Sequence, residues 1–175
     1  MEKMTLESDL KHDESYSLDF EDIRRIIGGR AFGMKMGMVD LEKTPDITVE
    51  EALKGRNVCA ILCSAKIQNR LQRHWGVLIK SGKRLSFFES LGMGKKITQL
   101  VDAPGFWDSL LKHRAEWNTH RVQKESKAIT TCGLHIIVRG AKHNLDNVAY
   151  VHWLRSVRTD PDMTVALLTH FGHKT

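Results

Sequence analysis

The chain has 175 residues, three cysteines and a formal net charge of +6. That length suits one domain with a single sizeable core. No run approaches the roughly 18 apolar residues of a membrane span, and the N-terminus lacks the charged-then-apolar pattern of a secretory signal. An odd number of cysteines argues against a disulfide framework and points to a reducing, intracellular setting.

Charge is unevenly spread. Of the 27 basic and 21 acidic residues, two and eight fall within residues 1–22, so that stretch carries −6 and the rest +12. A body this basic is attracted to polyanions such as DNA without any sequence readout, although solubility alone accounts for many basic surfaces. Residues 1–19 read as an acidic, mobile arm without clear period, and 20–175 as one folded domain.

Phe20 to Ile27 has the pattern of a short helix, with Asp19 as its cap and Gly28-Gly29 at its end. Gly33 and Gly37, set among three methionines, suggest an irregular segment up to Pro45. Thr48 followed by Glu51 is a capping-box pattern that opens a helix over 49–54. Asn57 to Ser64 is a short apolar run suited to a buried strand. Cys59 and Cys63 lie an even distance apart in it and share one face. No second Cys or His pair completes a zinc site around them, so core packing is the better reading.

His74 to Lys80 and Arg84 to Glu89 flank Ser81-Gly82 as the two arms of a hairpin. A two-residue loop there sets His74 opposite Glu89, with Cβ atoms roughly 5 Å apart. A carboxylate in that position accepts from an imidazole N–H and favours the imidazolium. Taken alone, the pair reads more simply as an ordinary surface charge pair, or His74 as a histidine packed by Trp75. Leu91-Gly92-Met93-Gly94 follows as a flexible loop. The stretch 95–113 predicts one or two helices broken at Pro104-Gly105, with Phe106, Leu110 and Leu111 as core candidates. Asn118 to Gln123 reads as a strand. After it, Leu134, Ile137, Val138 and Ala141 recur at helical spacing, with Thr130 or Thr131 as the cap. Cys132 then stands in the first turn, where backbone N–H groups and the helix dipole favour a thiolate. On its own Cys132 is more simply a small buried hydrophobe. Asn147 to Val157 is amphipathic, and Asp160-Pro161 opens a last helix to about Phe171.

His74-Trp75, Glu89-Ser90-Leu91-Gly92, Gln123 and Cys132-Gly133 form an ordered set: His-Trp on a strand, acid-x-apolar-Gly, Gln, then Cys-Gly opening a helix. The set resembles the adenovirus maturation proteases (adenains) and, more distantly, the SUMO and ubiquitin-like-specific cysteine proteases, over about residues 57–140. The resemblance implies an α+β fold with a papain-like thiol-protease core, in which a central mixed or antiparallel sheet carries a nucleophile-bearing helix. It implies Cys132 as nucleophile, His74 as its proton partner, Glu89 as the residue orienting His74, and Gln123 with the Cys132 N–H as the oxyanion hole. A Glu, rather than the Asp common in SUMO proteases, leans toward the adenain branch. Gln123 precedes Cys132 by nine residues, more than the family usually shows, so 124–131 must bulge.

By the same resemblance the substrates are virion precursor proteins with Gly-Gly-like sites, the setting is the virion and the host nucleus or cytoplasm, and DNA or a peptide stimulates activity. A disulfide-linked activating peptide is not supported, because Asn118 to Val122 holds no cysteine. No metal or other cofactor is implied. Ile26-Ile27-Gly28-Gly29 fits the favoured cleavage pattern before Arg30, although ending a helix is the simpler role for those glycines. The competing functions are SUMO- or ubiquitin-like deconjugation, acetyl transfer of the Yop type, and a non-catalytic basic protein that binds nucleic acid.

Overall fold

The computed structural model of the chain describes residues 18–28, 32, 34–67, 69–124 and 130–174. These residues form an α+β fold, a five-stranded mixed sheet with seven α-helices. The strands are β1 (Met36–Asp40), β2 (Val58–Ile67), β3 (Arg70–Ser81), β4 (Arg84–Glu89) and β5 (Glu116–Trp117), in that spatial order. The two outer pairs are parallel and the two inner pairs antiparallel. The helices are α1 (Phe20–Ile27), α2 (Val49–Leu53), α3 (Ile97–Leu100), α4 (Pro104–Lys112), α5 (Cys132–Ala141), α6 (Asn147–Ser156) and α7 (Pro161–Lys174).

Strand alternation splits the core in two. Trp75, Val77 and Ile79 of β3, with Val58, Ala60 and Leu62 of β2 and Phe88 of β4, face α1, α5, α6 and α7. Leu78 of β3 joins Cys59, Ile61 and Cys63 of β2 and Phe87 of β4 against α2, α3 and α4. Cys59 and Cys63 therefore share a face, as their spacing predicts, and both are buried free thiols.

Local signals set several helix ends. Asp19 accepts from the Asp22 N–H at 2.9 Å while the Asp22 carboxylate accepts from the Asp19 N–H at 3.1 Å, a reciprocal cap on α1. Thr48 caps α2 through the Glu51 N–H at 3.2 Å, and Pro104 opens α4. Phe106 and Leu110 fill the core from α4, whereas Leu111, expected beside them, turns away and is 47% exposed. The segment expected to be irregular before Pro45 contains β1. Its glycine and methionines give a weak strand pattern, and parallel pairing with β2 supplies the order.

The hairpin departs from its expected register. Ser81 pairs with Arg84, so the loop is Gly82-Lys83, and Glu89 stands opposite Gly76 rather than His74. Gly82 has φ of +60° at the first loop position, the place where a type II′ hairpin turn calls for glycine. His74 lies two residues before Gly76 on β3, so Glu89 reaches it diagonally, still within bonding distance. Gly76 is needed on packing grounds as well. A Cβ there would lie 2.6 Å from Cζ of Phe87 and 3.3 Å from the Phe88 carbonyl oxygen. Replacing it by alanine forces β4 away from β3, and Gly76→Ala is expected to lose about 1–3 kcal/mol in denaturant unfolding. An unchanged unfolding midpoint would show that the ring can step aside.

Asn118 to Gln123 does not continue β5. The Asn118 amide donates to the carbonyls of Glu89 (2.8 Å) and His120 (2.9 Å) and accepts from the His120 N–H (3.1 Å). The N–H groups of Val122 and Gln123 both converge on the Ser90 carbonyl, at 2.8 and 3.0 Å. Convergence on one acceptor replaces the alternation of a ladder.

Helix α5 is more buried than one apolar face predicts, since every residue from Cys132 to Gly140 is buried. Arg139 donates to the carbonyls of Lys142 and Leu145 and to Asn147 Oδ1, and its guanidinium lies 5.1 Å from the Tyr150 ring centre. Burial brings its pKa down to about 10, so it stays charged near neutrality.

Candidate functional site

His74 stands on β3 near the point where the β2–β3 ribbon leaves the sheet, while residues Arg70–Arg73 beyond it are exposed. Glu89 is the last residue of β4 and is 2% exposed. His74 Nε2 donates to Glu89 Oε2 at 2.9 Å. The same carboxylate accepts from the N–H groups of Leu91, at 2.9 Å, and Met93. The turn through Leu91–Gly94, expected to be flexible, instead wraps around Glu89. Three donors on one buried carboxylate match the acceptor capacity of its charged form.

With Nε2 committed to Glu89, the opposite ring nitrogen of His74 is left for the Cys132 sulfur, to which His74 is hydrogen-bonded. Burial works against a charge on the ring, but the bonds to Cys132 and Glu89 outweigh it and push the His74 pKa up to about 10. Burial likewise disfavours a Cys132 thiolate. The hydrogen bond and charge of His74, with the N–H groups of Trp75 and Gly133, overcome that and hold the thiol below its ordinary value. The other cysteines behave in the opposite way. Burial pushes Cys59 up to about 12 and Cys63 higher than an ordinary thiol. Of the three, Cys132 alone has the environment of an activated sulfur.

Helix α5 carries that sulfur at its first position, as expected, but Thr131 does not cap the helix with its side chain. Its hydroxyl instead donates to Asp162 Oδ1 at 2.5 Å. Leu18 packs over Gly133, and its carbonyl accepts from the Trp75 indole at 3.0 Å.

Gln123 is 7% exposed. Its carboxamide oxygen accepts from Ser90 Oγ at 2.6 Å, which tethers the amide. The oxygen end is turned to Ser90, and the NH2 is the donor end of the side chain. Ser90 belongs to the motif that points to Glu89, but nothing in its spacing assigns it this role. The bulge expected through 124–131 lies mostly outside the described residues, as does the Gly29–Arg30 bond. Lys124, Thr130 and Thr131, which flank 125–129, are described. Gly28 ends α1 with its N–H on the Arg24 carbonyl, and Ile26 and Ile27 are buried.

Beside His74 lies a cavity of about 150 Å³, largely apolar, lined by Ala65, Leu91, Met93, Ile97, Leu100 and Gln72. The four residues singled out by the sequence thus lie around two hydrogen-bonded centres, Glu89–His74–Cys132 and Ser90–Gln123. An imidazole with a raised pKa beside a thiol with a lowered one is equipped for nucleophilic attack on an acyl carbon.

No protein-family model, curated protein or solved structure matches the chain. Among the described residues, no group of three or more His, Cys, Asp or Glu side chains is placed to hold a metal. No helix among them is long and apolar enough to cross a membrane.

Proposed function

We propose that this protein is a cysteine endopeptidase of the adenain type, built on a papain-like core, that cuts precursor proteins at Gly-containing sites. The observation that carries the reading is the hydrogen-bonded line from Glu89 through His74 to Cys132, with opposite pKa displacements on the imidazole and the thiol.

In this mechanism the Cys132 thiolate attacks the scissile carbonyl carbon, forming a C–S bond and placing the negative charge on oxygen. The Gln123 NH2 and the Cys132 N–H stabilise that charge. The C–N bond then breaks as the His74 imidazolium gives its proton to the leaving amine. Water attacks the thioester with His74 as base, releasing the acid and restoring the thiolate–imidazolium pair. Glu89 keeps the ring in one orientation throughout. The apolar cavity beside His74 suits an aliphatic substrate side chain, in keeping with aliphatic-x-Gly-Gly sites. Virion precursors as substrates, and stimulation by DNA or a peptide, belong to the same proposal. The +12 body outside the first 22 residues supports polyanion attraction.

The test is hydrolysis of a fluorogenic aliphatic-x-Gly-Gly peptide by wild type and by Cys132→Ala. Cleavage by wild type alone is expected, and no cleavage by either would overturn the proposal. Labelling of Cys132 by a SUMO vinyl sulfone would instead indicate deconjugation, and acetyl uptake from acetyl-CoA without cleavage would indicate acyl transfer. Duplex binding unaffected by Cys132→Ala, with no peptide cut, would leave a nucleic-acid-binding protein.

A further inference from the structure

Asp162, in the first turn of α7, has no exposed surface. Its carboxylate gathers three donors from a separate part of the chain. Oδ2 accepts from the Lys124 backbone N–H at 3.0 Å, and Oδ1 accepts from Thr131 Oγ1 at 2.5 Å and from His135 Nε2 at 2.9 Å. Lys124 directly follows Gln123. Thr131 directly precedes Cys132, and His135 lies one turn beyond it on α5. One buried carboxylate thus ties the backbone beside the candidate oxyanion donor to both flanks of the candidate nucleophile. Nothing in the local sequence of α7 identifies it, since Asp160-Pro161-Asp162 reads only as a helix start.

The electrostatics agree with a fixed anchor. Burial disfavours the Asp162 charge, but its hydrogen bonds hold the carboxyl below the usual range. Burial keeps His135 below the usual imidazole value despite Asp162. A neutral His135 therefore donates its single N–H to a charged Asp162, and its Nδ1 is buried with no partner among the described residues. The groups facing this pair are Lys124, Thr131, Asp160 and, more distantly, His74. This pair is separate from Glu89–His74, which reaches Cys132 from the sheet.

We propose that Asp162 is a positioning residue that sets the placement of the Gln123 carboxamide relative to Cys132, and so builds the oxyanion hole rather than the nucleophile. This inference rests on the peptidase reading above. Peptide hydrolysis creates an oxyanion, whereas alkylation of Cys132 by a haloacetamide needs only the thiolate. The two reactions therefore separate the roles.

Asp162→Asn cannot serve all three donors, because its NH2 must face one of them. It is expected to lower kcat for the peptide about 100-fold, the scale of an ångström-level misplacement. KM and the pH profile of Cys132 alkylation should stay as in wild type. In a Gln123→Ala background, Asp162→Asn should cost little more, because both changes act on the same group. Thr131→Val keeps the side-chain shape and removes a single donor. It should give a smaller drop of the same kind, and it carries the test if Asp162→Asn does not fold. Full activity in a folded variant, an additive loss on Gln123→Ala, or a parallel fall in alkylation would overturn the positioning role. If wild type hydrolyses no Gly-Gly peptide, the peptidase reading falls and takes this inference with it. Hydrolysis by wild type with an indifferent Asp162 overturns this inference alone.

Discussion

Replacing His74 by alanine should lower peptide hydrolysis on the order of 10,000-fold or more, the scale seen when one member of a catalytic triad is removed. The reason is specific to this site. Cys132 is 7% exposed, and burial alone raises its thiol. Only the bond and charge of His74, with two backbone N–H groups, bring it back below the ordinary value. Without the ring, the sulfur falls into the same class as Cys59 and Cys63. Alkylation of Cys132 near neutral pH should vanish together with hydrolysis. Glu89→Gln should have a smaller effect of the same sign, because an amide oxygen kept toward His74 and Leu91 sets the NH2 against the Met93 N–H. A His74→Ala protein that is folded and still alkylated at neutral pH would mean that His74 does not ionise the sulfur.

Gln123→Ala should lower kcat about 100- to 1000-fold, the usual effect of losing one oxyanion-hole donor, while leaving Cys132 alkylation intact. Ser90→Ala tests the same element from behind. Without the 2.6 Å bond to the Gln123 oxygen, the amide can flip and present its oxygen toward the developing charge. An intermediate loss is expected. Kinetics of both variants on one peptide decide the matter, and a Gln123→Ala enzyme with wild-type kcat would remove Gln123 from the oxyanion hole.

Much of this arrangement was legible in the chain because its signals are local. The cap of α1, the cap of α2, the span of β4 and the helical position of Cys132 each rest on residues within a few places of one another. The His74–Glu89 pairing was also legible, although for a partly mistaken reason. The loop is one residue further along than expected, and Glu89 faces Gly76, whose missing side chain makes room for the Phe87 ring. Sequence signals failed where long-range partners decide the outcome. Asn118 to Gln123 has the composition of a strand, yet Ser90 and the Asn118 side chain claim its hydrogen bonds. His135 and Arg139 look like the polar face of a surface helix, but Asp162, Asn147 and loop carbonyls bond them in the interior. Ser90 and Asp162 carry no signature of their own, because their roles exist only once distant segments meet.

The central claim is that Cys132 is an ion-paired thiolate. The sign follows from the two displacements. The pair exists above the lowered Cys132 pKa and below the His74 value of about 10. The direct measurement is a pH titration of thiolate ultraviolet absorption in native wild type, with Cys132→Ala subtracted to remove Cys59 and Cys63. The Cys132 thiolate should emerge below the free-thiol value of about 8.5, because His74 and two backbone N–H groups lower its pKa. A difference signal that emerges only at or above that free-thiol value would contradict the account.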